Sequence, residues 1–517
     1  MGSQQKKKSV WKKIAGIVLL IQLGCSAMAI GTLIWINMLP EKYVALAGLI
    51  LVWLLTFVYY LFYSGNKKKK GKKTTTRAKK RKLYTKRSIG SVISAITIAV
   101  CLIGSTMVIK TGGTIQNIAD NVTVTDTVSV YALSENSAQT VSDVKDGVFA
   151  ITLNYDYEHT QKVLEQMNDE LGQSVRTQSY DTMFDMIDAL YAGNVDAIIM
   201  NAAYVDVVEG QKGYEDFSQK TKVLLDHEVQ TVVEAEHDST KNITEDPFVI
   251  YISGSDTRNY KLTTSRSDVN ILAVINPETK QVLLVNTPRD YYIETTVSQG
   301  MKDKLTHCGI YGIDCSMESL GNLYQEHVDY YVQINFSGFE TLVDAIGGIT
   351  VEAEKSFRTS EGGFYISKGT NQLNGKVALS YVRERKSFAD GDNARGRHQM
   401  QAIEAIIKKI SNGTTVLNNY SAILSSMEGM FSTSMSSTEI ADLVRMQLSD
   451  GASWNVKSYA VSGQGSSQKT YSMPTKRSYV MIPDDTLVDY ARELIDKTMD
   501  GIILTDEDMI GLKEQLK

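Results

Sequence analysis

Four arginines and two aspartates lie within one short stretch of the sequence, "VRERKSFADGDNARGRHQM", residues 382–400. They are Arg383, Arg385, Asp390, Asp392, Arg395 and Arg397. A solvated helix face usually alternates Glu with Lys, so repeated arginine indicates another role. The planar guanidinium group can bind phosphate or carboxylate through two parallel hydrogen bonds. The stretch therefore predicts an anion-binding site, whose ligand depends on the compartment that it occupies.

Further charged residues follow the ends of predicted strands, where α/β folds place their ligands. They are Asp256 and Arg258 in "GSDTR", Arg266 and Asp268 in "TSRSD", Arg289 and Asp290 in "TPRDYY", and Lys304. Two carboxylates, Asp256 and Asp268, suit a magnesium ion that is otherwise ligated by phosphate and water. Any single Arg/Asp pair would be an ordinary surface ion pair, worth about 0–1 kcal/mol. So many pairs at strand ends favour a pyrophosphate site instead.

The first 110 residues form a membrane region with three apolar runs, at about 14–39, 43–63 and 88–109. Each run is long enough to cross a bilayer. The loop 64–87 between the second and third runs contains 13 Lys or Arg and no acid. Positively charged loops stay in the cytoplasm. Three crossings from an inside N-terminus therefore predict that the remainder of the chain is extracellular.

Basic and acidic residues are unevenly distributed along the chain, and this distribution indicates which kinds of partner the chain can bind. Residues 1–90 hold 19 of the 54 basic residues and one of the 59 acidic ones, which leaves a net charge of −23 for residues 91–517. Because a strongly acidic region repels polynucleotide backbones, no nucleic-acid partner is expected. In the same region Cys308 and Cys315 are either a disulfide, which an oxidising compartment permits, or two free thiols.

Two domains of alternating strands and helices are predicted after the membrane region. Residues 111–245 comprise a linker, polar from Lys110 to Thr127, and a small extracellular α/β accessory domain. Residues 246–517 form an α/β layered domain that includes a hairpin around "NPETK", a helix "FSGFETLVDAIGG", a helix "NQLNGKVALSYVR" and an amphipathic helix "RHQMQAIEAIIKKI". The helix with Phe336, Phe339 and Leu342 has an apolar face, which at this spacing is typical of the core.

Four segments resemble the core motifs of the LytR-CpsA-Psr family and occur in the family's order: "SGSDTR", "RSDVNILAVINPETKQVLLVNTPRDYYIE", "VDYYVQINFSGFETLVDAIGGITVEAE" and "LNGKVALSYVRERKSFADGDNARGRHQMQAI". The resemblance covers about residues 246–500. The three spans and the accessory domain resemble the capsule-associated, streptococcal architecture of that family. The resemblance implies a C-terminal α/β/α layered catalytic domain. It also implies a membrane-anchored extracellular enzyme of a Gram-positive cell, which transfers a glycopolymer from polyprenyl pyrophosphate to peptidoglycan. The polyprenyl tail would need an apolar groove, and the face with Phe336, Phe339 and Leu342 either lines that groove or belongs to the core.

The resemblance also implies roles for individual residues. Asp256 and Asp268 would hold Mg²⁺ or Mn²⁺. The pyrophosphate would be bound by Arg266, Arg289, Lys304, Arg383, Arg385, Arg395 and Gln399. Arg266, Asp268, Arg289 and Asp392 would take part in catalysis. The sequence itself shows no obvious general base, and either Asp268 or Asp290 would serve. The family often reads Arg-x-x-Arg at the last motif, where this chain has His398 in the second position, so either Arg397 or His398 would face the substrate.

Two other functions use the same sequence features. A pyrophosphatase that does not ligate would need the same residues, whereas a membrane-bound regulator of wall or capsule synthesis would work through the basic cytoplasmic loop. The expected partners are the lipid-linked glycopolymer, peptidoglycan and membrane lipids, with other wall or capsule synthesis proteins binding the accessory domain. The sequence leaves the polymer open: capsule, teichoic acid or another wall glycan.

Overall fold

The computed structural model describes residues 2–64, 77–119, 122–233, 241–255, 262–411, 423, 429–474 and 476–509. The chain divides into two compact units. One comprises residues 1–116 with 437–451, and the other comprises residues 117–436 with 452–517.

The first unit contains the apolar helices that the sequence predicts. They are α1 (Gly2–Ile36), α2 (Glu41–Tyr63) and α3 (Arg77–Ala119). The unit also contains a later helix, α12 (Ser437–Asp450), whose number follows its place in the chain. The first three are long and apolar enough to cross a membrane, so the prediction of three such helices is confirmed. The predicted linker from Lys110 is wrong, since α3 continues to Ala119 and a strand begins at Val122. Ile115, Ile118 and Ala119 are buried, and this packing outweighs the low helix propensity of the preceding glycines.

The accessory module, residues 122–233, is built on a five-stranded sheet in the order β3-β2-β4-β1-β5. Its strands β2, β3 and β4 are parallel, and β1 pairs antiparallel with β4 and β5. Its elements are β1 (Val122–Leu133), β2 (Val148–Thr152), α4 (Tyr157–Leu171), β3 (Arg176–Tyr180), α5 (Met183–Tyr191), β4 (Ala197–Asn201), α6 (Val205–Glu209), α7 (Phe217–Lys220) and β5 (Thr221–Val233). Every residue of β4 is buried, as the apolar run "AIIM" predicts. The predicted α/β character of the module is confirmed.

A six-stranded sheet forms the centre of the C-terminal region, in the order β16-β11-β6-β7-β8-β17. Its strands are β6 (Phe248–Ser255), β7 (Ser267–Asn276), β8 (Gln281–Asn286), β11 (Tyr330–Asn335), β16 (Phe431–Thr433) and β17 (Asn455–Ala460). The strand β7 runs antiparallel to both of its neighbours, and β11 and β17 run parallel to β6 and β8. The carboxyl ends of β6, β8, β11 and β17 therefore lie along one edge, together with the first residues of β7.

Helices cover both faces of this sheet, which confirms the predicted α/β/α layers. The helices are α8 (Ile313–Tyr324), α9 (Phe336–Ala345), α10 (Gly375–Arg383), α11 (Asp392–Ser411) and α13 (Asp485–Met499). Alternate strand residues such as Leu272, Val274 and Leu283 join one buried cluster with α8 and α13. The alternation follows from the two-residue repeat of a strand, which sends neighbouring side chains to opposite faces.

Short strands and one 3-10 segment complete the region. The strands are β9 (Tyr292–Glu294), β10 (Lys302–Lys304), β12 (Ile349–Ala353), β13 (Phe357–Arg358), β14 (Tyr365–Ile366), β15 (Gly369–Leu373), β18 (Gly463–Gln468) and β19 (Ser478–Pro483), and the 3-10 segment is Leu305–Tyr311. The helix predicted from Asn371 starts later, because residues 371–373 belong to β15. Asn374 begins the helix by accepting a hydrogen bond from the Val377 amide.

Candidate functional site

The candidate site lies at the sheet edge where the parallel strands end. Asp268 is the second residue of β7, and Arg289 follows the end of β8 by three residues. Because β7 and β8 are antiparallel with Ile271 opposite Asn286, these two positions share that edge. Of the strand-end charges that the sequence singles out, Asp268 and Arg289 thus lie at one edge of the sheet.

A partly buried cluster of two arginines and two aspartates, of which Arg395 is the most buried, forms the centre of the site. Nη1 of Arg289 donates to both carboxylate oxygens of Asp268, at 2.8 and 3.0 Å. Nη1 of Arg395 lies 3.8 Å from Asp268 Oδ2, and its Nη2 lies 2.5 Å from Asp392 Oδ1. Arg395 and Asp392 both project from the first turn of α11, three residues apart, so they lie on one helix face. Residues more than 100 positions apart therefore meet in one charged cluster.

The electrostatics of the cluster keep Asp268 ionised and bring several arginines close together. Burial alone would raise the pKa of Asp268, but Arg289, Arg395 and Arg266 outweigh it and lower that pKa to about 2. Burial lowers the pKa of Arg395, an effect that Asp392 and Asp268 oppose. Arg289 and Arg385 act on Arg395 in the same direction as burial. Cations crowded in this way are stabilised by a bound anion.

Asp290, Lys304 and Thr306 make a second set of contacts beside the cluster. Asp290 lies 3.1 Å from Lys304 Nζ and 3.8 Å from Arg289 Nε. The Thr306 hydroxyl donates to Asp268 Oδ1 at 3.3 Å, and the Thr306 amide donates to the Arg289 carbonyl. Thr306 is a site residue that the sequence reasoning missed. The one feature of the sequence that points to Thr306 is its position two residues after Lys304.

Three other predicted residues border the cluster. Arg266 pairs with Asp206 of the accessory module, at 3.0 Å, and helps to lower the pKa of Asp268. Arg385 is exposed beyond the end of α10. Gln399 is buried one helical turn after Arg395, on the same face of α11.

Three residues of the arginine-rich stretch have partners elsewhere. Arg383 pairs with Glu361, and its guanidinium carbon lies 4.3 Å from the centre of the Phe336 ring. Arg397 pairs with Glu354 at 2.7 Å and with Asp390 at 2.6 Å. His398 is buried, with its ring 4.2 Å from that of Tyr381. Between the alternatives left by the sequence, neither Arg397 nor His398 contacts the Asp268 cluster.

The magnesium prediction rests on two carboxylates, of which the structure describes one. Asp256 and Arg258 fall within residues 256–261, outside the described residues. Among the described residues no group of three or more His, Cys, Asp or Glu could hold a metal ion. Asp268, ionised at neutral pH, fits the kind of magnesium ligand that a substrate phosphate and water complete.

The structure bears on two pairs of alternatives that the sequence left open: disulfide or free thiols, and lipid groove or core. Cys308 and Cys315 are buried free thiols and do not form a disulfide. Phe336, Phe339 and Leu342 are partly buried against a core cluster that includes Val343 and Ile346, which agrees with a packing role.

Comparison with known proteins establishes the family. The LytR_cpsA_psr family model matches residues 210–485, more than half of the sequence, and the chain belongs to this family. A relative named polyisoprenyl-teichoic acid–peptidoglycan teichoic acid transferase TagU, from Enterococcus faecalis, is 33% identical over 229 residues. That match covers 44% of this chain and 73% of the relative.

Two further proteins show similarity over shorter or more distant alignments. The Bacillus licheniformis protein of the same name is 36% identical over 172 residues, which cover 33% of this chain and 55% of the relative. The chain thus spans just over half the length of that relative. The crystal structure of B. subtilis TagV is 26% identical, covers 50% of this chain and 98% of TagV, and has a TM-score of 0.42.

Proposed function

We propose that this chain is a membrane-anchored phosphotransferase that moves a glycopolymer from polyprenyl pyrophosphate to peptidoglycan on the outer face of the cell. The observation that carries the proposal is the convergence of Arg289 and Arg395 on Asp268 at the carboxyl ends of the strands. The two TagU relatives named above are teichoic acid transferases, which supports the substrate class. The three apolar helices support the membrane anchor.

The site residues have distinct tasks in this reaction. Arg289, Arg395, Arg266 and Lys304 would neutralise the pyrophosphate, with Arg385 and Gln399 at the border of the site. A peptidoglycan hydroxyl attacks the phosphorus nearest the glycan, and the bond from that phosphorus to the bridging oxygen breaks. Polyprenyl phosphate leaves, and the glycan stays joined to the acceptor through one phosphate. Positioning and charge stabilisation provide nearly all the rate in such reactions.

A carboxylate must accept the proton of the attacking hydroxyl. The pKa of Asp268, lowered to about 2, makes it a weak proton acceptor, so its role is to anchor Arg289 and to ligate the metal. Asp290, the other carboxylate that the sequence singles out, is therefore the proposed base, and it lies 3.1 Å from Lys304 Nζ.

Mg²⁺ or Mn²⁺ would be held by Asp268, with Asp256 as the second ligand that the sequence predicts. When bound, the ion would neutralise charge that develops on the phosphate oxygens. We expect chelation of divalent cations to abolish transfer by wild type, and added Mg²⁺ to restore it. Asp268→Asn should need more Mg²⁺ than wild type, and equal Mg²⁺ dependence would contradict this assignment.

The decisive experiment separates ligation from hydrolysis. Full-length protein in detergent receives a synthetic polyprenyl-pyrophosphate glycan, with or without a peptidoglycan fragment as acceptor. A ligase forms a conjugate between glycan phosphate and acceptor, whereas a pyrophosphatase releases glycan phosphate whether or not the acceptor is present. Arg289→Lys should lower the rate about 100-fold, because the charge remains but the planar fork is lost.

Arg492→Lys is the matched control for this substitution. Arg492 lies on α13, paired with Asp489, outside the candidate site. Near-wild-type transfer by Arg289→Lys would overturn the assignment of the site. The regulator hypothesis makes a separate prediction, since residues 1–110 alone would then restore wall synthesis to cells that lack the gene.

A further inference from the structure

The accessory module packs directly on the segment that frames the candidate site. Tyr204 and Val207 of the module share a buried cluster with Ile310 of the 3-10 segment Leu305–Tyr311. The ring of Tyr204 also lies 6.3 Å from that of Tyr311, in an edge-on arrangement. This apolar contact fixes α6 beside the 3-10 segment.

The same 3-10 segment contacts two of the charged site residues. Its Thr306 hydroxyl bonds Asp268. Its Gly309 lies so close to residues 265–267 that an added Cβ would come within 2.5 Å of the Ser265 carbonyl oxygen. The backbone on either side of Arg266 is thus held against an element that the accessory module covers.

Asp206 lies on α6 between these apolar contacts, and its carboxylate reaches across to the site. Its Oδ2 atom is 3.0 Å from Nη2 of Arg266. The Asp206 side chain is 51% exposed, so the pair adds at most about 1 kcal/mol to stability. A guanidinium has five N–H donors in a rigid plane, and a partner that fixes one edge fixes the direction of the others.

We propose that Asp206 is a positioning residue, through which the accessory module orients Arg266 for the pyrophosphate. The inference rests on the proposed function and extends it, because it makes the module part of the machinery that binds the substrate. It assigns the module a role that neither the strand pattern nor the charge of the module indicates.

The direction of the effect on anion binding tests this inference. Removing a negative charge 3.0 Å from a cation should strengthen anion binding if charge alone matters. Loss of positioning should weaken binding instead. Calorimetry with inorganic pyrophosphate and full-length protein in detergent should show an increase of the dissociation constant for Asp206→Asn, by about three- to tenfold. Asp206→Glu, which keeps the carboxylate, should give a smaller increase.

A control and a double variant complete the experiment. Asp216→Asn removes a carboxylate of the same module that pairs with Lys220, and it should bind as wild type does. In an Arg266→Ala background, Asp206→Asn should cause no further weakening. Unchanged or tighter binding by Asp206→Asn would overturn the inference, as would weakening that persists without Arg266.

The transfer assay distinguishes this inference from the proposed function. Absence of transfer by wild-type protein would count against the proposed function alone, because pyrophosphate binding still reports on Asp206. Normal transfer by wild type, together with wild-type binding by Asp206→Asn, would count against the inference alone.

Discussion

Arg395 and Arg397 are two residues apart on α11 but have different surroundings. Arg395 is buried beside Asp268 and Asp392, whereas Arg397 pairs near the surface with Glu354 and Asp390. We expect Arg395→Lys to lose most transfer activity, because a buried planar cation is replaced by a point charge. Arg397→Lys should keep most of it. Parallel rate measurements under identical conditions check this, and equal losses in the two variants would contradict the assignment of Arg395 to the site.

His398 should make the stability of the protein depend on pH. Its burial, and then the nearby Arg397, lower its pKa to about 4, whereas an unfolded histidine has a pKa near 6.5. The unfolded state therefore binds more protons between these values, and stability is lost as the pH falls from about 6.5 toward 4. The slope from this group alone approaches about 1.4 kcal/mol per pH unit.

The variant His398→Phe isolates this contribution, since a phenyl ring suits the surrounding rings of Phe357, Tyr381 and Phe388. Denaturant unfolding of wild type and variant is measured at several pH values between 4 and 7. The difference in their free energies of unfolding should change with pH in favour of the variant at low pH. A constant difference would mean that His398 does not titrate in this way.

At the scale of elements, the position of α11 depends on a close approach at Gly396. A Cβ added there would lie 2.3 Å from Nδ2 of Asn286, at the end of β8. Gly396→Ala should therefore push α11 from the sheet, destabilise the protein by about 1–3 kcal/mol and displace Arg395. Melting temperature and pyrophosphate affinity should both fall.

A second substitution tests this mechanism. Asn286→Ser shortens the side chain that the new methyl group would meet, so it should partly restore the stability and affinity of Gly396→Ala. Losses that simply add in the double variant would show that contact with Asn286 is not the cause.

Two other elements, the hairpin β7–β8 and the 3-10 segment Leu305–Tyr311, also bring distant residues to the site. The hairpin β7–β8 places Asp268 and Arg289 at one edge, and its register fixes which residues face each other. The 3-10 segment then returns the chain to that edge, where Thr306 contacts Asp268. A short segment with no motif of its own thus completes the charged cluster.

At the scale of the whole molecule, the charge distribution predicts the topology. The basic loop 64–87 should lie in the cytoplasm and the acidic region beyond residue 110 outside. A cysteine introduced at exposed Lys368 should react with a membrane-impermeant maleimide in intact cells. A cysteine at Lys70, within the basic loop, should react only after permeabilisation.

Wild-type protein serves as the blank for this labelling, because Cys308 and Cys315 are buried and Cys25 and Cys101 lie within the apolar helices α1 and α3. Labelling of Lys70→Cys in intact cells, with protection of Lys368→Cys, would reverse the orientation and exclude an extracellular site.

Local features of the sequence determined a large part of this protein. Hydrophobic runs predicted the three apolar helices, because length and apolarity alone decide whether a helix can cross a bilayer. The two apolar runs that flank the turn "NPETK" predicted the hairpin of β7 and β8, and the concentration of arginine predicted an anion site. The motif order predicted the family, which is confirmed.

The tertiary structure alone decided which charges meet. Arg383 and Arg395 are equally plausible from sequence, yet Arg383 pairs with Glu361 while Arg395 joins Asp268. The same is true of Thr306 and Asp206, whose partners lie 38 and 60 positions away. Side-chain direction depends on helix phase and strand register, and contact with a distant partner depends on how the layers pack. Neither quantity is encoded within the few residues of a motif.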